Sequence, residues 1–229
     1  MYTVPASGAG AAAHQYIAQH VPNWLRVLTL RLPGRENRYT EPRLRTMGAA
    51  VEHLVQRVAA HVNAYGKPFL LFGDCAGSYL AYELGRALAT YGAAPVALVV
   101  LGQRAPGEAG VRRRLHDLPS DQLRAELSAA GMVAPDVADN AALFKFFEPT
   151  LRSDLEIFDH YRWDASRLPE FPIEVIPGRL GGDTASRGWR ATTRGVVQVA
   201  ESTDDNTAVA KVLTRLAVSH RPDGARIED

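Results

Sequence analysis

Residues 68–78 read PFLLFGDCAGS, and this stretch decides the fold. Residues 68–72 form an apolar run of the length expected for a buried strand, and residues 78–91 have the spacing of an amphipathic helix. Between them, residues 73–77 carry the only cysteine of the chain, Cys75, with a glycine two positions away on either side. The sequence therefore predicts a strand, a tight turn that presents Cys75, and a helix.

A turn of the form small-x-nucleophile-x-small in this setting is the nucleophile elbow of α/β-hydrolases. The strained turn raises the central side chain above the sheet, and the flanking glycines let the strand and the helix come close. The helix N-terminus places positive potential beside the nucleophile, which favours the thiolate form of a cysteine. We therefore predict that Cys75 is a nucleophile, at a position that usually carries serine.

The charge of the chain is nearly balanced, with 26 lysines and arginines against 25 aspartates and glutamates. The sequence has no basic face interleaved with aromatic residues, so we do not expect nucleic acid as the main partner. Residues 112–114 are three consecutive arginines. They form either a solvated loop or a docking point for an acidic partner, and the solvated loop is favoured.

A single cysteine cannot form an internal disulfide, and the sequence has neither a CxxC motif nor a cluster of cysteine and histidine ligands for a metal. This pattern fits a reducing, cytoplasmic setting. The N-terminus lacks the basic and apolar regions of a signal peptide, and no apolar stretch approaches the roughly 18 residues needed to span a bilayer. We therefore expect no export and no membrane association.

Apolar runs alternate with amphipathic stretches, which predicts an α/β fold with a mostly parallel central sheet and helices on both faces. The predicted strands are a short one ending at Pro5 and residues 25–30, 68–72, 95–101, 173–176 and 196–199. The predicted helices are residues 11–20, 41–65, 78–91, 183–193 and 204–220. The length of 229 residues suits a single domain, 1–229.

Residues 106–169 interrupt this alternation with several short amphipathic helices and no predicted strand. An insertion rich in leucine, phenylalanine and tyrosine at the carboxyl edge of the sheet can cover a substrate channel. The alternative is a helical cap without a functional role. Because the predicted nucleophile lies at the same edge, we favour a helical lid.

Several motifs beyond the elbow resemble one family. Residues 32–42, LPGRENRYTEP, resemble the LPGRExR…EP segment of type II thioesterases, the stand-alone editing enzymes of polyketide and nonribosomal peptide assembly lines. The segments AYEL at 81–84, RAP at 104–106 and LRSD at 151–154, followed by Tyr161, are similar to further landmarks of that family in the same order. The resemblance extends over residues 4–213.

The resemblance implies an α/β-hydrolase with a helical lid, monomeric and without a cofactor, that acts on acyl groups held as thioesters. The acyl group is carried on the phosphopantetheine arm of an acyl or peptidyl carrier protein. The family's nucleophile corresponds to Cys75, and its oxyanion hole to the backbone N–H groups of Ala76 and of Ser7, in the loop of residues 5–9. One such donor is typically worth about 2.7–4 kcal/mol in the transition state.

The chain departs from the family where the other two members of the triad belong. Family members carry the histidine base in a loop between the last strand and the last helix, but residues 201–206 here read ESTDDN. The acid corresponds to Asp183, although the spacing to Trp189 is shorter than in the family. Related type I domains place the acid after the strand that follows the elbow, where this chain has Gly102 and Gln103. A complete standard triad is therefore not present in the sequence.

Other residues are candidates for the base. Asp74, at an elbow position that is usually histidine, either accepts the thiol proton or binds local backbone; the second interpretation is favoured. As a neighbouring carboxylate it also raises the thiol pKa. His14 corresponds to a position near the oxyanion loop, and His160 lies in the predicted lid. Asp204 and Asp205 occupy the base loop, where capping of the last helix is favoured.

A cysteine in place of serine changes which acceptor can complete the reaction. An acyl group on Cys75 remains a thioester, which is readily passed to a thiol or a carbanion. Cysteine elbows are similar to those of aminoacyl shuttles and Dieckmann cyclases, although these relatives generally keep a histidine. We therefore favour release by cyclisation or transfer. The alternatives are a slow editing hydrolase with an unconventional base and a degenerate member that binds carrier protein or acyl chain without turnover.

Overall fold

A six-stranded sheet lies at the centre of the structure, a computed structural model that describes residues 1–108, 114–178, 185–200 and 206–221. The strand order is β2-β1-β3-β4-β5-β6, and every neighbouring pair within this described part is parallel. The strands are β1 (Tyr2–Val4), β2 (Leu28–Thr29), β3 (Leu70–Asp74), β4 (Ala97–Leu101), β5 (Ile173–Ile176) and β6 (Val197–Val199). The predicted parallel sheet is confirmed.

Eight α-helices belong to the described residues. They are α1 (Gln15–His20), α2 (Met47–Tyr65), α3 (Gly77–Thr90), α4 (Ser120–Ala129), α5 (Pro135–Asp139), α6 (Ala141–Asp159), α7 (Ala185–Trp189) and α8 (Asn206–Ser219). The prediction that α2 begins at residue 41 was wrong, because the side chain of Thr46 caps the helix by accepting a hydrogen bond from the N–H of Ala49 at 3.3 Å. The segment before α1 is a short 3-10 turn, Ala11–His14.

The two faces of the sheet carry separate cores. On one face, Leu71 belongs to a cluster with residues of α2 and α3, such as Leu54 and Leu80. On the other face, Phe72 belongs to a cluster with residues of α1 and α8, such as Ile17 and Leu213. Because side chains alternate along a strand, the second residue after Phe72 in β3 projects toward the same face as Phe72. Asp74 therefore lies on the face covered by α1 and α8.

The chain leaves the carboxyl end of β4 and returns to β5 through a helical insertion, residues 106–169. Its described part contains α4, α5, α6 and a 3-10 turn (Leu115–Asp117), with no strand. It has a small apolar core of its own, formed by Leu123, Leu127, Phe144, Leu151 and Leu155. Residues 109–113, which include most of the three-arginine run, lie outside the described residues.

Two further searches of the described residues gave no candidate. No helix in this part of the chain is long and apolar enough to cross a membrane. Among the same residues, no group of three or more histidine, cysteine, aspartate or glutamate side chains could hold a metal ion.

Candidate active site

Cys75 lies in a strained turn between β3 and α3. Its φ angle is 49°, in the left-handed region that a residue with a side chain rarely adopts. The N–H of Cys75 donates to the carbonyl of Leu101 at 2.9 Å, and its own carbonyl accepts from the N–H of Ser78 at 2.9 Å. The hydroxyl of Ser78 donates to the carbonyl of Gly73 at 2.8 Å. These contacts hold a conformation that costs on the order of 1–3 kcal/mol, as expected for a functional turn.

The two glycines of the elbow are required by close backbone contacts. A Cβ atom on Gly73 would lie 2.4 Å from the Cα of Ser78, so this residue lets β3 and α3 approach each other. A Cβ atom on Gly77 would lie 2.4 Å from the carbonyl oxygen of Pro5. The second contact brings the loop that follows β1 against the first turn of α3. Gly77 therefore lets the predicted oxyanion loop lie against the elbow, while Gly73 lets the strand and the helix of the elbow meet.

Three effects act on the pKa of the Cys75 thiol. Burial raises the pKa of the Cys75 thiol above its ordinary value, and the carboxylate of Asp74 raises it further. The backbone N–H of Ala76 hydrogen-bonds toward the sulfur and lowers the thiol pKa, but by less than burial raises it. The Ala76 N–H and the Asp74 carboxylate thus act in the directions expected from the sequence, and burial has the larger effect. A thiol with a raised pKa needs a proton acceptor to become nucleophilic.

Two hydrogen bonds fix the loop of residues 5–9, the predicted oxyanion loop. The N–H of Gly8 donates to Oδ2 of Asp154 at 2.7 Å, and the N–H of Ala9 donates to the carbonyl of Ala6 at 3.1 Å. Since a trans peptide directs its N–H opposite to its C=O, the turn that engages the Ala6 carbonyl directs the N–H of Ser7 the other way. That N–H has no acceptor among the described contacts. Ser7 and Ala76 remain the predicted donors, each from one side of the site.

Asp74 faces His14 rather than local backbone. The distance from Nε2 of His14 to Oδ2 of Asp74 is 3.6 Å, and the imidazole is 1% exposed while Asp74 is 31% exposed. Neither ring nitrogen of His14 has a hydrogen-bond partner among the described residues. The ring of Tyr16 lies 6.5 Å from that of His14. Burial, and to a lesser extent the charge of Asp74, raise the pKa of Tyr16 to about 12. Among the described contacts the Asp74 carboxylate makes no backbone hydrogen bond, so the favoured structural interpretation of Asp74 is not supported.

His160 lies at the end of α6, exposed, with its ring 4.9 Å from the ring of His116. It lines a surface groove of about 1210 Å³ between α2, α3 and residues 160–171, and Cys75 is not a lining residue of that groove. No contact within the described residues joins His160 to Cys75 or Asp74. Asp183, and the loop of residues 201–205 with Asp204 and Asp205, lie outside the described residues. The roles predicted for them stay predictions.

The structure joins motifs that the sequence could not pair. Arg35 of the LPGR segment donates to Asp154 of the LRSD segment through two bonds, at 2.9 Å to Oδ2 and 2.6 Å to Oδ1, across 119 residues of chain. In the same way, the hydroxyl of Tyr161 donates to Glu83 of the AYEL segment at 2.6 Å. The only sequence signal for these two pairs was that the family-like segments contain charged residues. Which of them meet depends on the fold.

A parallel sheet with a strained cysteine elbow after its third strand and a helical insertion after the fourth defines an α/β-hydrolase fold. Residues 1–215 match the family model described as a thioesterase domain, and the chain therefore belongs to the thioesterase family. It is 27% identical over 198 residues to the gramicidin S biosynthesis protein GrsT of Aneurinibacillus migulanus, covering 85% of this chain and 76% of that protein. It is 24% identical over 227 residues to a probable cadicidin biosynthesis thioesterase of Streptomyces griseus, covering 96% of this chain and 62% of the relative.

Solved structures agree with this assignment. ClbQ from the colibactin NRPS/PKS pathway has a TM-score of 0.86 at 25% identity, covering 95% of this chain and 96% of its own. RedJ, a thioesterase from the prodiginine pathway of Streptomyces coelicolor, has a TM-score of 0.83 at 25% identity, covering 95% of this chain and 88% of its own. The resemblance to type II thioesterases, inferred from short motifs, is confirmed.

Proposed function

We propose that Cys75 accepts an acyl group from a carrier-protein thioester and that the group is then released by cyclisation or transfer rather than by hydrolysis. The observation that carries this proposal is the strained, positive-φ elbow with a thiol at its centre, in a chain whose base loop contains no histidine. The names of the relatives, which place them in polyketide and nonribosomal peptide biosynthesis, support a carrier-bound substrate. The phosphopantetheine arm enters as part of that substrate, and the reaction needs no cofactor.

In the first step, the sulfur of Cys75 attacks the carbonyl of the carrier thioester. The thiol proton of Cys75 leaves to a base, the bond between the carbonyl and the pantetheine sulfur breaks, and that sulfur takes up a proton. One thioester replaces another, so the step is close to balanced in free energy. The N–H groups of Ala76 and Ser7 stabilise the negative oxygen of the tetrahedral intermediate.

We assign the proton-accepting role to the Asp74–His14 pair. His14 is buried and its ring nitrogens lack partners among the described residues, so a neutral imidazole there has a free acceptor nitrogen. The carboxylate of Asp74, 3.6 Å away, stabilises the imidazolium that forms. The other titratable groups beside the pair are Tyr16 and Cys75. Asp183 and His160 stay as alternative participants of the same reaction.

In the second step, an acceptor attacks the acyl-Cys75 thioester and Cys75 leaves as a thiolate. In a Dieckmann-type closure the acceptor is an enolate carbon of the acyl chain itself, formed when the base removes its proton, so that a carbon–carbon bond forms as the carbon–sulfur bond breaks. In a transfer the acceptor is another thiol, whose proton also passes to the base. In both cases the departing Cys75 thiolate takes up that proton. Water is a poorer acceptor of the acyl group than a thiol or an enolate, because it is a weaker nucleophile toward a thioester and must be deprotonated as it attacks.

Mass spectrometry of the intact protein after incubation with an acyl-pantetheine thioester tests the proposal. We expect an acyl adduct on the wild-type protein that is absent in Cys75→Ala. We expect Asp74→Asn and His14→Asn to slow adduct formation by about 10²-fold, the usual contribution of a general base. A wild-type protein that forms no adduct with any acyl donor would favour a degenerate binding protein. Unchanged rates in folded His14 and Asp74 variants would contradict the assignment of the base.

A further inference from the structure

We propose that Arg35 and Asp154 are positioning residues for the oxyanion hole, and that they fix its loop to helix α6 of the insertion. In this arrangement, the N–H of Ser7 points at the acyl group only while α6 is seated against the loop. The inference rests on the proposed function, because it takes the oxyanion role of Ser7 from it. It adds a reason why the insertion and the elbow act as one unit.

Arg35 and Asp154 hydrogen-bond to each other and to the backbone of the loop of residues 5–9. The carboxylate of Asp154 accepts from the N–H of Gly8 at 2.7 Å and from both terminal nitrogens of Arg35. Arg35 also donates to the carbonyl of Ala9 at 3.0 Å. The Ser7–Gly8 peptide is therefore held by Asp154 of α6, and the Ala9–Gly10 peptide is held by Arg35. The turn from Ala6 to Ala9 fixes the peptide that carries the N–H of Ser7.

The same helix makes two uncharged contacts with this region. A Cβ atom on Gly8 would lie 2.3 Å from Cδ2 of Leu151, which shows how closely the loop packs on α6. The hydroxyl of Thr150 donates to the carbonyl of Gly34 at 3.0 Å, so the segment that carries Arg35 is also attached to α6. Three positions of α6 contribute, because residues 150, 151 and 154 are spaced so that they share one face of the helix.

Because the Arg35–Asp154 ion pair is buried, its strength depends on its geometry. The side chains of Arg35 and Asp154 are 8% and 5% exposed. An ion pair shielded from water is strong only in a restricted geometry, and a bidentate arginine fork is the most restrictive of those available to a carboxylate. A lysine at position 35 or an amide at position 154 would keep much of the volume but lose that geometry. These two substitutions therefore distinguish a role in positioning the loop from a role in filling space.

Acylation and alkylation of Cys75 respond differently to such a change. Attack on a thioester develops a negative oxygen that needs the oxyanion donors. Alkylation by iodoacetamide is a displacement at a saturated carbon, forms no oxyanion and reports only whether the thiol is accessible and ionised. A displaced loop therefore slows the first reaction and spares the second, whereas a damaged elbow slows both.

The experiment compares the wild-type protein with Asp154→Asn and Arg35→Lys, measuring both rates by intact mass with an acyl-pantetheine donor and iodoacetamide. We expect acylation at saturating donor to fall about 10- to 100-fold, and alkylation and the half-saturating donor concentration to change less than about twofold. Glu156→Gln is the matched control, since Glu156 is on the same helix and pairs with exposed Arg45 away from the loop. It should leave both rates unchanged.

Near-UV circular dichroism shows whether each variant is folded. If a single variant does not fold, the double variant Arg35→Met/Asp154→Leu is used in its place, because it leaves no unpaired buried charge. Unchanged acylation in a folded variant would overturn the inference, and so would a parallel loss of acylation and alkylation. A wild-type protein that is alkylated but never acylated would contradict the proposed function itself. The failure of this inference alone would show as acylation that is normal in both wild type and variants.

Discussion

The elbow and the loop of residues 5–9, the proposed oxyanion loop, lie next to each other but are held in different ways. The elbow is held mainly by backbone groups: by hydrogen bonds within residues 73–78, by one to the adjacent strand, and by close backbone contacts at the glycines 73 and 77. The loop of residues 5–9 is held by side chains far away in sequence, Arg35 and Asp154. The elbow is therefore sensitive to local volume, whereas the loop is sensitive to remote charge.

The largest effect on stability is expected from removing one member of the remote pair. Arg35→Met leaves the buried carboxylate of Asp154 without its partner, which costs about 3–5 kcal/mol of the free energy of unfolding. The double variant with Asp154→Leu should recover most of that loss, because no unpaired charge is left. Urea unfolding of the two variants measures both values. A double variant no more stable than Arg35→Met would show that packing, rather than charge, holds the loop.

A smaller effect is expected from local volume in the elbow. Gly77→Ala places a methyl group against the carbonyl oxygens of Pro5 and Val4, at 2.4 and 2.5 Å, and should cost about 1–3 kcal/mol. Gly48→Ala is the control, since Gly48 is in α2 with open space around it, and this change should stabilise by about 0.5–1 kcal/mol. Equal melting temperatures for the two variants would contradict the close contact at Gly77.

The charge of Asp74 provides a test by pH. Because Asp74 raises the pKa of the Cys75 thiol, Asp74→Asn should lower that pKa and speed alkylation by iodoacetamide at any pH below it. The same variant should slow acylation if the carboxylate assists the base. Rates of both reactions between pH 6 and pH 10 measure these opposite signs. Slower alkylation in Asp74→Asn would refute the electrostatic description of the elbow.

The smallest effect is expected at the exposed end of the insertion. Glu156→Gln breaks the ion pair with Arg45, whose side chain is 63% exposed, and should cost no more than about 1 kcal/mol. Thermal unfolding in low and high salt measures this contribution. If Glu156→Gln lowered the free energy of unfolding nearly as much as Arg35→Met, the expected difference between the buried and the exposed ion pair would be contradicted.

The sequence predicted the strands and the elbow because these depend on neighbouring residues. The apolar runs, the glycines at 73 and 77 and the position of Cys75 are local signals, and all of them have their expected places in the structure. The start of α2 was missed because the capping side chain, Thr46, competes with other polar residues nearby in sequence. The net direction of the Cys75 pKa shift could not be predicted, because burial, its largest cause, depends on the fold.

The long-range pairs could not be predicted from the residues alone. Arg35 and Asp154 are 119 positions apart, and nothing in the local pattern of either segment indicates the other. The contact between His14 and Asp74 has the same origin, since it requires α1 and the end of β3 to lie on one face of the sheet. The candidate site was therefore predictable as far as its nucleophile and its loop. Its charged pairs required the fold.

The partition of the acyl-Cys75 thioester between acceptors tests the central claim most directly. The isolated adduct is divided between buffer alone and buffer with a competing thiol, such as pantetheine, and the rate of adduct loss and the products are followed by mass spectrometry. If Cys75 serves transfer or cyclisation, the adduct survives in buffer, or yields a ring product, and is discharged to the thiol at least about tenfold faster. Rapid release of the free acid in buffer, unaffected by added thiol, would identify a hydrolase and contradict the claim.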